Sequence, residues 1–293
     1  MADEKQNSSL DLLGIKPIGD AANTTVEKSF QGIEGFLKSV CVPALDEVGL
    51  LLRDKVRHWR LNNILRILDK AKGKLQFENE ELQIQAHPRV ALAIIDNGSL
   101  NDNDEVQEMW AGLFASSCSK NGQEDENLIF VDLLKQLTVA EARILKYASE
   151  SARKIIYKNG LITGDHLNLD CKSLMEISGV NEIHRLDREL DHLRSLELIG
   201  SGLGSGGFSA DDEHLVADIS PTPLALNLYV RSQGHNTDPA FYWQGNMITS
   251  EEKDKEEAEK QRIEAEKQKA EAEARRQEML AKKQAQGDDR TDK

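Results

Sequence analysis

The chain has 293 residues, enough for two small domains or one domain with appendages, with 39% hydrophobic and 30% charged side chains. The first figure is below and the second above what globular domains usually carry. From Ser250 onward stand 12 Lys/Arg and 14 Asp/Glu, a net of −2, which leaves −12 of the chain's −14 on residues 1–249. A body this acidic repels phosphate backbones over most of its surface, which argues against nucleic acid as a partner.

Cys41, Cys118 and Cys171 lie far apart, with no CxxC spacing. A sparse, odd set fits a reduced cytoplasm, where each cysteine serves as a small hydrophobe. No run reaches the roughly 18 apolar residues that a membrane-spanning helix needs. The opening Met-Ala-Asp-Glu-Lys-Gln-Asn has neither the basic region nor the apolar core of a signal peptide. The expected location is cytoplasmic.

In chain order, residues 1–20 are polar and broken by Gly14, Pro17 and Gly19, and read as a disordered arm. Residues 21–100 form an N-terminal helical region. Val26, Phe30, Ile33, Leu37 and Val40 predict a first helix from Thr24, weakened by Gly32 and Gly35. Pro43 suits a first helical turn, and Leu45, Val48, Leu52, Val56, Trp59, Ile64 and Leu68 mark a long helix ending near Gly73. A shorter helix at Val90–Ile95 precedes the Asn97-Gly98 turn.

Residues 101–159 carry the densest pattern. Asp102 and Glu105 read as a capping pair, and Val106, Met109, Trp110, Leu113 and Phe114 follow at i, i+3, i+4, i+7 and i+8. Ala111, Gly112 and Ala115 let a neighbouring helix come close. Leu128–Leu137 predicts the next helix, and Thr138 with Glu141 a second capping box for a helix through Ile156, closed by Asn159-Gly160.

Over 160–232 the expected order is a short helix at Ser173–Ile177, a turn at Gly179, a longer helix at Glu182–Leu198, then strands at Glu197–Ile199 and His214–Ile219 around a glycine-rich span, with a terminal helix to about Val230. Helix, turn, helix and hairpin is the order of a winged helix. Residues 245–287 read as a charged single helix, its span from Thr249 to about Gln286 being Glu, Lys, Arg, Ala and Gln with almost no large apolar residue. Glu251–Lys255, Glu256–Lys260, Glu271–Arg275 and Glu278–Lys282 are acid-first i,i+4 pairs. Lacking an apolar seam, this segment reads as an isolated, monomeric charged helix, a spacer or docking rod, followed by a disordered tail at 288–293.

Gln107-Glu-Met-Trp-Ala111 followed by Leu134-Lys-Gln-Leu137 resembles the Abi-alpha (abortive infection alpha) family of bacterial proteins. Its structural signature falls on Glu108, Met109, Trp110, Leu113, Leu134 and Leu137. The resemblance extends back to Arg53-Asp-Lys-Val-Arg-His-Trp-Arg-Leu-Asn-Asn63 and on through Leu193-Arg-Ser-Leu-Glu-Leu-Ile-Gly200 and Ile219-Ser-Pro-Thr222, covering roughly 45–232. It implies phage-defence biology and brings no established chemistry.

The residues themselves offer few sites. Gly202-Leu-Gly-Ser-Gly-Gly207 matches a phosphate-loop pattern by letter, but Asp211, Asp212 and Glu213 follow it and would repel phosphate. His184, Asp187, Arg188, Asp191 and His192 share one helix face, opposite Ile183, Leu186, Leu190 and Leu193, so they are expected to face water rather than bind metal. In a winged helix, Arg185, Arg188, Asn181 and His184 would read the major groove, against the opposing charges of Asp187, Glu189 and Asp191. The oxygen-rich Asp96–Asp104 run lacks EF-hand spacing and reads as loop and cap. Trp59 and Trp110 read as core anchors.

The sequence therefore predicts a mostly α protein: a multi-helical body, a winged-helix-like C-terminal module and a long solvated charged helix. With no nucleophile or metalloprotease motif, it is expected to be a non-enzyme without cofactor or metal, acting through contacts with an unidentified protein partner. A winged-helix nucleic-acid-binding regulator is the alternative. A membrane-perturbing effector using the helix at 24–40 comes third, because Glu27, Lys28, Glu34 and Lys38 give that helix a balanced rather than basic face.

Overall fold

The computed structural model describes residues 33, 35–37, 40, 57–75, 84–200, 202–203 and 215–288. The arm at 1–20, the predicted helix start at Pro43–Val56 and residues 289–293 lie outside them. Within them the protein is mostly helical, with three small sheets.

Helix α1 (Arg57–Lys74) leads to strand β1 (Gln85–Ala86), helix α2 (Pro88–Gly98) and helix α3 (Asp104–Ser116). Strand β2 (Cys118–Ser119) closes a two-stranded antiparallel ladder with β1. Helices α4 (Leu128–Leu134) and α5 (Val139–Ser151) follow. Helix α3 is the hub: it packs on α1, α2, α4 and α5, and its Val106, Trp110, Leu113 and Phe114 are fully buried. Ile33, Phe36, Leu37 and Val40 join this core, with the Phe36 ring 6.2 Å from that of Phe114.

Three helix ends differ from expectation. Asn103, not Asp102, caps α3: its side chain accepts from the Glu105 and Val106 amides, while Glu105 is drawn away to Arg143. Helix α5 begins on the expected Thr138–Glu141 capping box but stops at Ser151, because Ala152 turns extended and Lys154–Ile156 becomes strand β3. β-Branched Ile155 and Ile156 favour that state. Asn159-Gly160 is thus a hairpin turn, with Gly160 at φ +86°, joining β3 to antiparallel β4 (Ile162–Gly164). Helix α4 likewise ends at Leu134, and Leu137 lies in the turn that leads to the Thr138 cap.

The second half runs β5 (Asn168–Asp170), α6 (Cys171–Ser178), α7 (Ile183–Ser195), β6 (Gly202–Leu203) and β7 (Val216–Asp218). Gly179 ends α6 in the left-handed conformation at φ +73°, where a side chain would be strained. The strands form one antiparallel sheet in the order β5-β7-β6. The expected strand at Glu197–Ile199 is replaced by a single bridge from Ile199 to Pro221, since Glu197 sits at φ +58° and breaks the extension. Most of the glycine-rich span lies outside the described residues.

Helix α8 (Pro223–Ser232) returns across α3 and α5, and α9 (Pro239–Tyr242) follows it. Here Ile162, Leu226, Tyr229, Val230 and Trp243 build a second, smaller core. Strand β8 (Met247–Thr249) pairs in parallel with β3 and runs directly into α10 (Ser250–Asp288), the 39-residue charged helix. Thr249 and Glu252 form its capping box.

Candidate functional site

The signature residues lie in the interior and at one helix seam. Trp110 and Leu113 are fully buried, and Met109, Leu134 and Leu137 are nearly so. Glu108 faces α1, where it accepts from Lys70 at 2.6 Å and Lys74 at 3.2 Å; Asp104, one turn before, accepts from Lys70 and Arg66. Burial alone would lower the Lys70 pKa, but the two carboxylates outweigh it and raise it. Deeper in the seam, Arg60 is buried and donates to Ser99 and to Asp96, and Asn63 donates to the Ser99 carbonyl. Gln107 then reaches Asn63 and the Asn101 carbonyl. The oxygen-rich Asp96–Asp104 run is thus the acceptor side of a helix-to-helix network.

Asn181, His184, Arg185 and Arg188 are all exposed, on or just before α7. Arg185 pairs with Glu189 at 3.3 Å, and Arg194 with Asp191 at 2.7 Å. Helix α7 carries three arginines and three acids, so its outer face has no net positive charge to offer a phosphate. No group of three metal-binding side chains occurs among the described residues.

His192 departs from expectation. Rather than lying on a purely solvated face, its Nδ1 is 2.6 Å from Oε1 of Glu141, a carboxylate with no exposed surface. The other Glu141 oxygen accepts the Thr138 amide at 2.7 Å, and the Thr138 hydroxyl donates to Glu189 at 2.6 Å. Burial raises the Glu141 pKa; the Thr138 amide and His192 oppose that rise without cancelling it. One capping carboxylate therefore fastens the N-terminus of α5 to α7. The capping box was legible in sequence, but the 51-residue separation of its histidine partner was not.

A third cluster holds the base of α10. Asp165 accepts from Arg153 at 2.9 Å and Lys253 at 2.8 Å, Arg153 reaches on to Glu256 at 2.7 Å, and Lys158 pairs with Glu251. Glu251 and Glu256 are thus drawn to the body, not to Lys255 and Lys260 as expected. Burial works to raise the Asp165 pKa, but Lys253 and Arg153 prevail and hold it down to about 2. Beside this clamp Lys154 is buried, donating to the Glu150 carbonyl with its ammonium 4.0 Å from the Trp243 ring centre. Burial lowers its pKa to about 8.

A cleft of about 190 Å³ opens next to the second core, lined by Gly160, Leu161, Ile162, Leu226, Asn227, Asp238 and Pro239. Leu161 in its wall is half exposed, and Phe241, two residues past Pro239, is 70% exposed. From Asp254 to Gln277 every side chain of α10 is exposed. At 1.5 Å per residue the whole helix is about 58 Å long. Among the described residues no helix is long and apolar enough to cross a membrane.

The site geometry supplies anchored polar seams, a small cleft of mixed polar and apolar lining, and a projecting rod. No curated protein and no solved structure matches the chain. Residues 60–223, more than half of it, match the family model described as abortive infection alpha, beginning at the buried Arg60 and ending as α8 starts. The chain belongs to the abortive infection alpha family.

Proposed function

We propose that this protein takes part in abortive infection, the defence in which a phage-infected bacterial cell forgoes its own survival and limits phage release, and that it does so in the cytoplasm as a non-enzymatic protein working through protein–protein contacts. The family supports the defence role. The observation that carries the contact mechanism is α10: a long helix clamped to the body by Asp165, Arg153 and Lys253, yet exposed at every residue from Asp254 to Gln277. An isolated polar helix contributes little to the stability of its own body. Its use lies in reaching another molecule. The burial of Ile33, Phe36, Leu37 and Val40 in the core argues against a membrane-perturbing role for the first helix.

Phage yield and cell survival in a host expressing the chain test the role. The full chain should lower phage release at the cost of infected cells, and a chain stopped after Lys260, which keeps the clamp, should lose that effect while melting as before. Unchanged phage yield with the full chain would sink the defence reading. Full effect from the shortened chain would sink the contact role of α10.

A second reading, a nucleic-acid regulator, draws support from the order α5, β5, α6, α7, β6, β7, with the β3–β4 hairpin inserted after α5, and from the β5-β7-β6 antiparallel sheet; in a winged helix built this way α7 would take the recognition position. The balanced charge of α7 opposes it. Titration of a fluorescent duplex at physiological salt should give no sub-micromolar binding; tight, steeply salt-dependent binding would move this reading to first place.

A further inference from the structure

Helix α10 repeats itself every seven residues. Set out from Ala258 it reads Ala-Glu-Lys-Gln-Arg-Ile-Glu, then Ala-Glu-Lys-Gln-Lys-Ala-Glu, then Ala-Glu-Ala-Arg-Arg-Gln-Glu, ending at Glu278. Glutamate recurs at 257, 264, 271 and 278, and a base at 255, 262, 269, 276 and 283. A self-supporting helix does not need this register. Pairs within one helix, such as Arg262 with Glu259 at 2.9 Å and with Glu266 at 3.9 Å, require only local spacings of three and four. A constant seven keeps one stripe turned toward a neighbouring helix, because 3.5 residues per turn does not drift as 3.6 does relative to a partner wound around it.

Within the three repeats, 258–278, one stripe with spacings of three and four avoids charge through two of them: Ala258, Gln261, Ala265, Gln268, Ala272. Ile263 has no such companions, since Glu259, Lys260, Glu266 and Lys267 surround it. With alanine first and glutamine fourth in the repeat, the two flanking positions are the fifth and the seventh. The fifth is Arg262, Lys269 and Arg276, and the seventh is Glu264, Glu271 and Glu278. In a parallel pair the seventh position of one helix meets the fifth position of the next repeat in the other. Glu264 then faces Lys269 and Glu271 faces Arg276 of a second copy, each contact occurring twice by two-fold symmetry. An antiparallel pair would set glutamate against glutamate and base against base.

We propose that α10 pairs in parallel with α10 of a second copy of this chain, in the register set by these flanking charges. The inference rests on the contact role assigned to α10 and names its partner. The clamp residues Lys253 and Glu256 precede the first repeat, so pairing leaves the helix base fixed and carries two bodies at the same end of the rod. Alanine allows close approach, but it buries little, and the seam glutamines and Arg275 specify register at a cost in strength. The pair is therefore weak, concentration-dependent and loosened by salt.

Sedimentation of the full chain tests this with two double variants, Lys269→Glu/Arg276→Glu and Glu264→Lys/Glu271→Lys. The wild type should shift from dimer toward monomer on dilution or added salt. Each variant alone should be monomeric where the wild type is dimeric, and an equimolar mixture should recover the dimer, because every flanking contact is attractive again. Circular dichroism follows the helix; if a variant loses helicity alone, helicity and dimer mass must return together in the mixture. A wild type monomeric at every concentration, variants that dimerise as it does, or a mixture that stays monomeric would each overturn the pairing. Phage yield is a separate readout, so the pairing and the defence role can fail independently.

Discussion

A Cβ placed on Gly112 would lie 1.7 Å from the carbonyl oxygen of Ser232. Backbone touches backbone here, where α3 and α8 cross, and the glycine in the signature is what permits it. Gly112→Ala must force the helices apart, costing at least the ~1–3 kcal/mol typical of overpacking. Gly73 is the control: it lies in the last turn of α1, and a Cβ placed there would meet nothing within 4 Å. Gly73→Ala should raise stability by about 0.5–1 kcal/mol. Urea unfolding of both checks the contrast, and equal midpoints would show that the crossing is not tight.

Trp110 is fully buried in α3, and its indole N–H has no partner among the described residues. Packing must therefore outweigh an unsatisfied donor. Trp110→Ala should cost about 3–5 kcal/mol. Trp110→Phe should cost distinctly less, since it leaves a smaller void and removes the stranded N–H. A Trp110→Ala protein that melts as the wild type but loses phage restriction would instead mark the indole as a binding platform.

These core relations were legible in part. The stripe from Val106 to Phe114 has helical period, so its burial could be read directly, and Thr138 with Glu141 announced a helix start. What sequence does not carry is the partner across space. Nothing local ties Gly112 to Ser232, Glu141 to His192, or Asp165 to Lys253. The strand at Lys154–Ile156 was hidden for a related reason: its β-state is fixed by pairing with β4 and with β8, the latter more than 90 residues away, and the preceding helical pattern ran on into it. The seven-residue repeat in α10 lay open in the letters. A search for large apolar residues passes over it because its information is in charge and alanine.

The clamp at the base of α10 should be acid-labile. Asp165 titrates near 2 in the folded protein, below its ordinary 3.8, so its contribution is fully present above about pH 4 and is lost as pH falls toward 2. Asp165→Asn should mimic that loss at neutral pH by weakening the hold of Arg153 and Lys253. Hydrogen exchange at Met247–Thr249 is the measure, because that strand joins the clamp to β3. Faster exchange there with little change in α3 is the expected result; unchanged exchange would mean that the strand pairing alone holds the helix.

Glu141 works in the opposite sense. Its pKa is raised, with burial the first cause, so the folded protein holds that proton more tightly than the unfolded chain does. The ionised carboxylate therefore costs stability above the raised pKa, and the cost is relieved as pH falls through it. Glu141→Gln keeps an acceptor for the Thr138 amide and a group facing His192 but cannot titrate. The wild type should accordingly gain stability relative to the variant on acidification from neutral pH. Urea midpoints at a series of pH values give the difference directly. The expected sign is a difference that moves in favour of the wild type as pH drops. A movement in favour of the variant would mean that pairing with His192 outweighs burial, with the Glu141 pKa depressed rather than raised.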